Sequence, residues 1–307
     1  MNAFREIRPA DHPVIIAHRG DSCHAPENTL DAAILGRASG AFAWELDVHL
    51  SQDGVPVVIH DESLIRTTNV AERFAGDPRA LTGFRVTDFT WHEIRQLDAG
   101  SWFVDPAGGH RTAGGFGTLD SLPDADRSRF GAGTVRVPSL IDALRLTRDL
   151  DWRVNVELKT FPEADPRLLA AVFSDIDHTG TADRVLISSF DHDDVARAAA
   201  HRPDIACGAL CETPLHHYSA YVRDLIGADF FHTSAQALGS DSLNYLTAPS
   251  ADALRSLDRH EGRVPVFVYT VNDARPDGLA AHLRILGIAG LFSDNPRAVG
   301  SLWAVPS

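Results

Sequence analysis

The chain has 307 residues, enough to bury a large core, and its 44% hydrophobic and 23% charged content is that of a globular protein. A net charge of −14 argues against nucleic acid or an anionic membrane as the main partner. No apolar run approaches the roughly 18 residues of a membrane span, and the first residues lack the apolar core of a signal peptide, so the cytoplasm is the expected compartment.

Apolar, β-branched runs alternate with helical ones, the pattern of βα units and a parallel sheet. Strands are expected at 14–17 and 42–48, with a helix over 27–39 between them. Only LSQDG separates ELDVH from VPVVIHD, too short for a parallel crossover, so these two runs must form a hairpin. Asp53-Gly54 is a favoured type I′ pair. That turn sets His60 opposite Asp47, with Glu45 on the same face. Between 62 and 137 the alternation weakens apart from a short helical piece near 91–97, and the segment reads as an insertion over one end of a single catalytic domain spanning 1–307. Alternation resumes with strands at 153–158, 184–188, 205–210, 228–232, 264–270 and 290–293. Helices fit at 139–150, 166–173, 193–200, 218–225, 251–260 and 278–286, the first with Ser139 as N-cap. Counting the hairpin once gives eight strands, the closure number of a TIM (β/α)8 barrel. An open doubly wound sheet is the alternative, but no glycine-rich dinucleotide loop follows any strand.

Active sites of such barrels lie at the C-terminal strand ends. There the sequence places His18 and Arg19, then Glu45, Asp47 and the returned His60, then Asn155, Glu157 and Lys159, with Ser293-Asp294-Asn295 closing the last strand. Glu45, Asp47 and Glu157 would repel one another unless a cation joined them, and all-oxygen ligation favours Mg2+ or Ca2+. Only Arg19 and Lys159 are near enough to compensate without one. His18 and His60 suit acid/base work near neutral pH. Arg19 and Lys159 suit phosphate oxygens. Of the 28 basic residues, Lys159 is the sole lysine, which marks a position where a compact ammonium is needed. Glu27 reads as a residue favouring the helix dipole, and Asn28 as a brace for the His18-Arg19 loop. His24, His49, His216 and His217 read as surface or packing residues, and Cys23, Cys207 and Cys211 as free thiols. Phe190, Tyr269, Phe231 and Trp102 are candidate pocket walls.

The ordered segments AHRGDSCHAPENTLDAA, WELDVHLSQDGVPVVIHDESLIRTTN, VTDFTWHEIRQLDAGSWF, VPSLIDALR, VNVELK, VLISSF, VYTVN and FSDNP resemble the glycerophosphodiester phosphodiesterase family over nearly the whole chain. The resemblance implies hydrolysis of a glycerophosphodiester to sn-glycerol 3-phosphate and an alcohol. It implies one divalent cation at Glu45, Asp47 and Glu157, His18 and His60 as acid/base pair, and Arg19 and Lys159 on the phosphate. Three departures bear on substrate preference: Tyr269 stands where the family has tryptophan, FSDNP replaces ITDNP, and 105–133 is glycine-rich. Competing readings are a phospholipase D-like barrel acting on lysophospholipids, a metal-dependent lyase or isomerase, and a non-catalytic phosphate-binding barrel. The insertion is expected to narrow access to a bulky lipid.

Overall fold

The structure is a computed structural model that describes residues 2–7, 13–160, 165–213, 215, 218–238, 264–285 and 287–303. The expected helix at 251–260 and His216 and His217 lie outside the described residues.

Among the described residues nine strands form one sheet: β1 (Val14–Ala17), β2 (Ala43–Leu50), β3 (Pro56–Val58), β4 (Val154–Leu158), β5 (Val185–Ser189), β6 (Ala206–Cys211), β7 (Phe230–Ser234), β8 (Val266–Tyr269) and β9 (Gly290–Ser293). Eight of them pair in parallel, and β1 bonds both β2 and β9, so the sheet closes into a barrel and the open-sheet alternative falls. β3 is the exception, an antiparallel addition to β2.

The strand period sorts the side chains. Trp44, Leu46, Val48 and Leu50 of β2 and Val154, Val156 and Leu158 of β4 face the core between barrel and helices. Glu45, Asp47, Asn155 and Glu157 alternate with them and take the inner face. Ile16, Phe230, Phe267 and Phe292 fill the interior, together with Phe4 from the short turn Ala3–Glu6. Trp44 and Trp152 stack at 6.4 Å, with their indole N–H groups donating to Thr147 Oγ1 (2.9 Å) and the Ala41 carbonyl (2.8 Å). Both polar tips are thereby satisfied, which fixes β2 against the helix Leu140–Asp149. That helix starts at the Ser139 cap, which closes a capping box with Asp142. The next helix runs Pro166–Thr179, longer than the expected 166–173, because its apolar stripe continues to Ile176 before Gly180 ends it in the left-handed region. Where a helix is expected at 218–225, a π-helical stretch runs Ala220–Ile226.

The hairpin differs from the expected one. Only Gly54 has positive φ (82°), so the turn is not type I′, which needs two such residues. Ser51 N–H donates to the Val55 carbonyl and Gly54 N–H to the Ser51 carbonyl, which closes a three-residue connection. Asp53 is held by Ser51 Oγ (2.8 Å) and Trp91 N–H (2.8 Å). The register therefore shifts by one: Val48 faces Val58, and the Asp47 carbonyl accepts from Ile59 N–H rather than facing His60. His60 still reaches the site because the chain leaves the ladder after Val58. His49, buried on β2, then lies with Nε2 3.0 Å from the His60 carbonyl.

Residues of 62–137 form a second cluster around Phe89, Leu97, Phe103 and Phe130, which also takes in Ala25, Ala32, Val57 and Ile59 from the barrel. Among the described residues no helix is long and apolar enough to cross a membrane.

Candidate active site

All seven residues expected at the site converge at the C-terminal mouth. A cavity of about 210 Å³ is lined by His18, Arg19, Glu45, His60, Glu157 and Lys159, with Asn155, Phe190, Glu212 and Tyr269 beside them. Carboxylate oxygens of Glu45, Asp47 and Glu157 lie within 4.8 Å of one another.

The loop after β1 is held in an uncommon conformation. Arg19 (φ 57°) and Asn28 (φ 59°) are left-handed, a strain that persists only where the surroundings enforce it. Gly20 (φ 83°) lets the loop lie on the following helix, since a Cβ there would fall 2.5 Å from the Ala32 carbonyl carbon. In return, Arg19 N–H donates to Glu45 Oε2 (2.9 Å). Asn28 braces the loop as expected: its N–H donates to the Arg19 carbonyl and its Nδ2 to Asp47 Oδ2 (2.7 Å).

The charge balance fits a cation. Lys159 Nζ pairs with Asp47 Oδ1 (2.9 Å) and with Glu157, and Arg19 Nε lies 3.2 Å from Asp47 Oδ2. Burial opposes the charge on Asp47, but Lys159 and Arg19 outweigh it and hold that carboxyl well below its usual range. Burial likewise opposes the charge on Lys159, yet Asp47 and Glu157 raise its pKa. Glu45 differs: burial, then Asp47 and Glu157, push it well above its usual value. Its Oε1 is buried with no hydrogen-bond partner among the described residues. Three carboxylates against two shared cations, with one orphaned carboxylate oxygen, make a hard oxygen donor set that a divalent cation would complete.

Each histidine is oriented by its own carboxylate. His18 Nδ1 lies 2.7 Å from Asp294 Oδ1, and His60 Nδ1 lies 2.7 Å from Asp61 Oδ1. In both, Nε2 is left as the free nitrogen; that of His18 is 4.0 Å from Glu45 Oε2. Burial and the Arg19 charge lower the His18 pKa against the pull of Asp294, which favours the neutral imidazole. Asp294 Oδ2 accepts from Asn272 Nδ2 (2.8 Å). Burial opposes the Asp294 charge, but His18 and Arg111 hold its carboxyl well below the usual range.

Glu27 corrects the sequence reading. It precedes the helix Leu30–Ala38, whose cap is Thr29, and it is buried. It accepts from Arg19 Nη1 (2.8 Å), Arg66 Nη1 (3.0 Å) and Nη2 (2.8 Å), and Arg111 Nε (2.7 Å). It is a junction of three arginines, not a helix-dipole residue. Arg66 also grips Asp61, from Nε at 2.6 Å. The adjacency of His60 and Asp61 was a usable signal for that pair; nothing local pointed to Arg66 or Arg111.

The walls also differ from expectation. Phe190 and Tyr269 line the cavity, edge to face at 6.2 Å. The Tyr269 hydroxyl is buried with no hydrogen-bond partner among the described residues. Phe231 instead stacks on Tyr218 in the core (4.9 Å), and Trp102 donates its N–H to the Ala99 carbonyl within the second cluster. A roomier space of about 510 Å³ adjoins the site between His60, Lys159, Phe190 and Glu212. Of 62–137, only Glu62 lines it among the described residues. Segment 62–137 also reaches the site through Arg66 and Arg111, which both meet Glu27.

Comparison with known proteins agrees with this geometry. The Glycerophosphoryl diester phosphodiesterase family matches residues 18–298. A glycerophosphodiester phosphodiesterase of Bacillus altitudinis is 30% identical over 287 residues, 93% of this chain and 96% of that protein. One from Caldanaerobacter subterraneus is 35% identical over 206 residues, 66% of this chain and 68% of that protein. Among solved structures, an Oleispira antarctica phosphodiesterase in complex with the product sn-glycerol-3-phosphate matches with a TM-score of 0.72 at 25% identity, over 98% of this chain and 99% of that one. An Agrobacterium tumefaciens glycerophosphodiester phosphodiesterase shares the fold, with a TM-score of 0.63 over 94% of this chain and 100% of that one. The chain is therefore an enzyme of the glycerophosphodiester phosphodiesterase family, to which it belongs over nearly its whole length.

Proposed function

We propose that the chain, working as one catalytic domain with 62–137 inserted in it, hydrolyses glycerophosphodiesters to sn-glycerol 3-phosphate and an alcohol with the help of one divalent cation and a histidine pair. The observation that carries this reading is the meeting of two carboxylate-oriented histidines and a three-carboxylate cluster in one cavity. Glu45, Asp47 and Glu157 would hold Mg2+ or Ca2+. Bound there, the cation supplies charge neutralisation at the non-bridging phosphate oxygens. Arg19 and Lys159 add positive charge to the same oxygens, the lysine from the residue after β4 and the arginine from the loop after β1.

Asp294 and Asp61 fix the tautomers of His18 and His60, so that each presents Nε2. One imidazole takes the proton of the attacking hydroxyl and the other protonates the leaving alkoxide. Removing either imidazole should cut turnover by roughly two to four decades. The check is turnover of glycerophosphocholine by His18→Ala and His60→Ala, followed by phosphorus NMR. If both variants kept near-parental rates, the acid/base assignment would fail. Lysophosphatidylcholine belongs in the same panel, because faster turnover of it than of glycerophosphocholine would favour the phospholipase D-like reading.

A further inference from the structure

We propose that Arg111, carried by the inserted segment, is a positioning residue for the reaction: its guanidinium joins Glu27 to Asp294 and so holds the His18 imidazole in place. The proposal rests on the acid/base reading of His18 and names a residue which that reading does not use.

Arg111 donates from Nε to Glu27 Oε2 at 2.7 Å and from Nη2 to Asp294 Oδ1 at 2.9 Å, with Ser22 Oγ at 3.4 Å from the same nitrogen. Asp294 Oδ1 is also the oxygen that meets His18 Nδ1 (2.7 Å) and Ser22 Oγ (2.9 Å). The arginine therefore grips the same atom that orients the histidine. Its own backbone is anchored nearby. The turn Ala113–Phe116 is capped by Thr112, Thr118 Oγ1 donates to the Cys23 carbonyl (2.5 Å), and Cys23 N–H donates to the Asp294 carbonyl (3.0 Å). The Phe116 ring lies 5.4 Å from the guanidinium carbon.

The arrangement is repeated on the other histidine. Arg66 joins the same Glu27 to Asp61, the partner of His60. The result is one chain of charges, Asp294–Arg111–Glu27–Arg66–Asp61, with an imidazole at each end. A planar fork that faces two carboxylates at once is what arginine offers and lysine does not.

Simple docking of the insertion does not need Arg111. The cluster around Phe103 and Phe130 does that, and Arg129 pairs with Asp31 at 2.7 and 3.2 Å on the outside. A side chain bridging two buried carboxylates beside a histidine acts on that histidine.

The test is steady-state kinetics of the full chain on glycerophosphocholine with Mg2+ for Arg111→Ala, Arg111→Lys, His18→Ala, the double variant of His18→Ala with Arg111→Ala, and Arg129→Ala. Loss of such a supporting partner should lower kcat about 10- to 100-fold. KM should stay within about threefold, Arg111→Lys should recover only part of the loss, and Arg129→Ala should behave as the parent. The double variant should be no slower than His18→Ala, because Arg111 acts through that imidazole. A parental kcat in Arg111→Ala, an equal loss in Arg129→Ala, a rise in KM at constant kcat, or additive losses in the double variant would each overturn the inference. A parental rate in His18→Ala would instead overturn the acid/base reading itself, so the two failures are distinguishable.

Discussion

Glu27→Gln tests the charge network behind the site. In the native chain the buried carboxylate accepts four hydrogen bonds from three guanidinium groups, at 2.7 to 3.0 Å. The amide keeps the shape and one acceptor oxygen but removes the charge and turns an NH2 donor toward guanidinium groups, so Arg19, Arg66 and Arg111 face one another without the anion between them. Breaking a buried ionic cluster from one side costs about 3–5 kcal/mol. At about 2 °C per kcal/mol for a chain of this size, the melting midpoint should fall by about 6–10 °C at pH 7. The pH dependence has a definite sign. Burial opposes the Glu27 charge, but Arg19, Arg66 and Arg111 outweigh it and hold the folded carboxyl well below 4.5. Its contribution is complete above the unfolded value and is lost as pH falls through the folded one. The deficit of the variant should therefore be full at pH 7 and shrink below about pH 4.5. Calorimetry and urea unfolding at pH 7 and 3.5 measure it. A deficit under about 1 kcal/mol at pH 7, the size expected of an exposed pair, would refute the reasoning. So would a deficit that does not change with pH.

Two other predictions concern titrating groups away from the site. Asp175, on the inner side of Pro166–Thr179, has an Oδ2 without a hydrogen-bond partner among the described residues, and burial raises its pKa to about 6. A folded value above the unfolded one means stability falls as pH rises from about 4 to 6. Asp175→Asn should thus gain about 1–2 kcal/mol at pH 7 after screening, and nothing at pH 3.5; an equal effect at both pH values in urea unfolding would contradict this. His232 is fully buried between Phe267 and Phe292, and burial lowers its pKa to about 3. The unfolded chain then binds the extra proton, so stability is full above about pH 6.5 and is lost on acidification toward pH 3. His232→Leu should reduce the slope of stability against pH by about 1.4 kcal/mol per unit in that window. An unchanged slope would show that the ring is not what titrates.

The barrel and most of its site were legible because both are written in strand alternation. Glu45, Asp47, Asn155 and Glu157 occupy every second position among residues that pack outward, so their convergence needs no distant information. The hairpin was legible as a hairpin, but its register was not. One positive-φ residue, Gly54, in place of the two a type I′ turn needs shifts the pairing by a residue, and the side chains of Ser51 and Asp53 that favour this turn are read only with Trp91 in place. The histidine partners divide the same way. Asp61 adjoins His60, whereas Asp294 lies 276 positions from His18 and meets it only when β1 and β9 close the barrel. Glu27 was misread for that reason. Its three arginines come from the loop after β1 and from two points in 62–137, and ion pairs at such separations leave no periodic trace.

The cation at Glu45, Asp47 and Glu157 is the central claim, and its most direct measurement is turnover of glycerophosphocholine after chelation, with phosphorus NMR identifying the product. Chelator should abolish turnover, Mg2+ or Ca2+ should restore it, and Glu45→Gln should show no recovery at the same cation concentration. Full turnover in the presence of chelator, or parental recovery in Glu45→Gln, would contradict it.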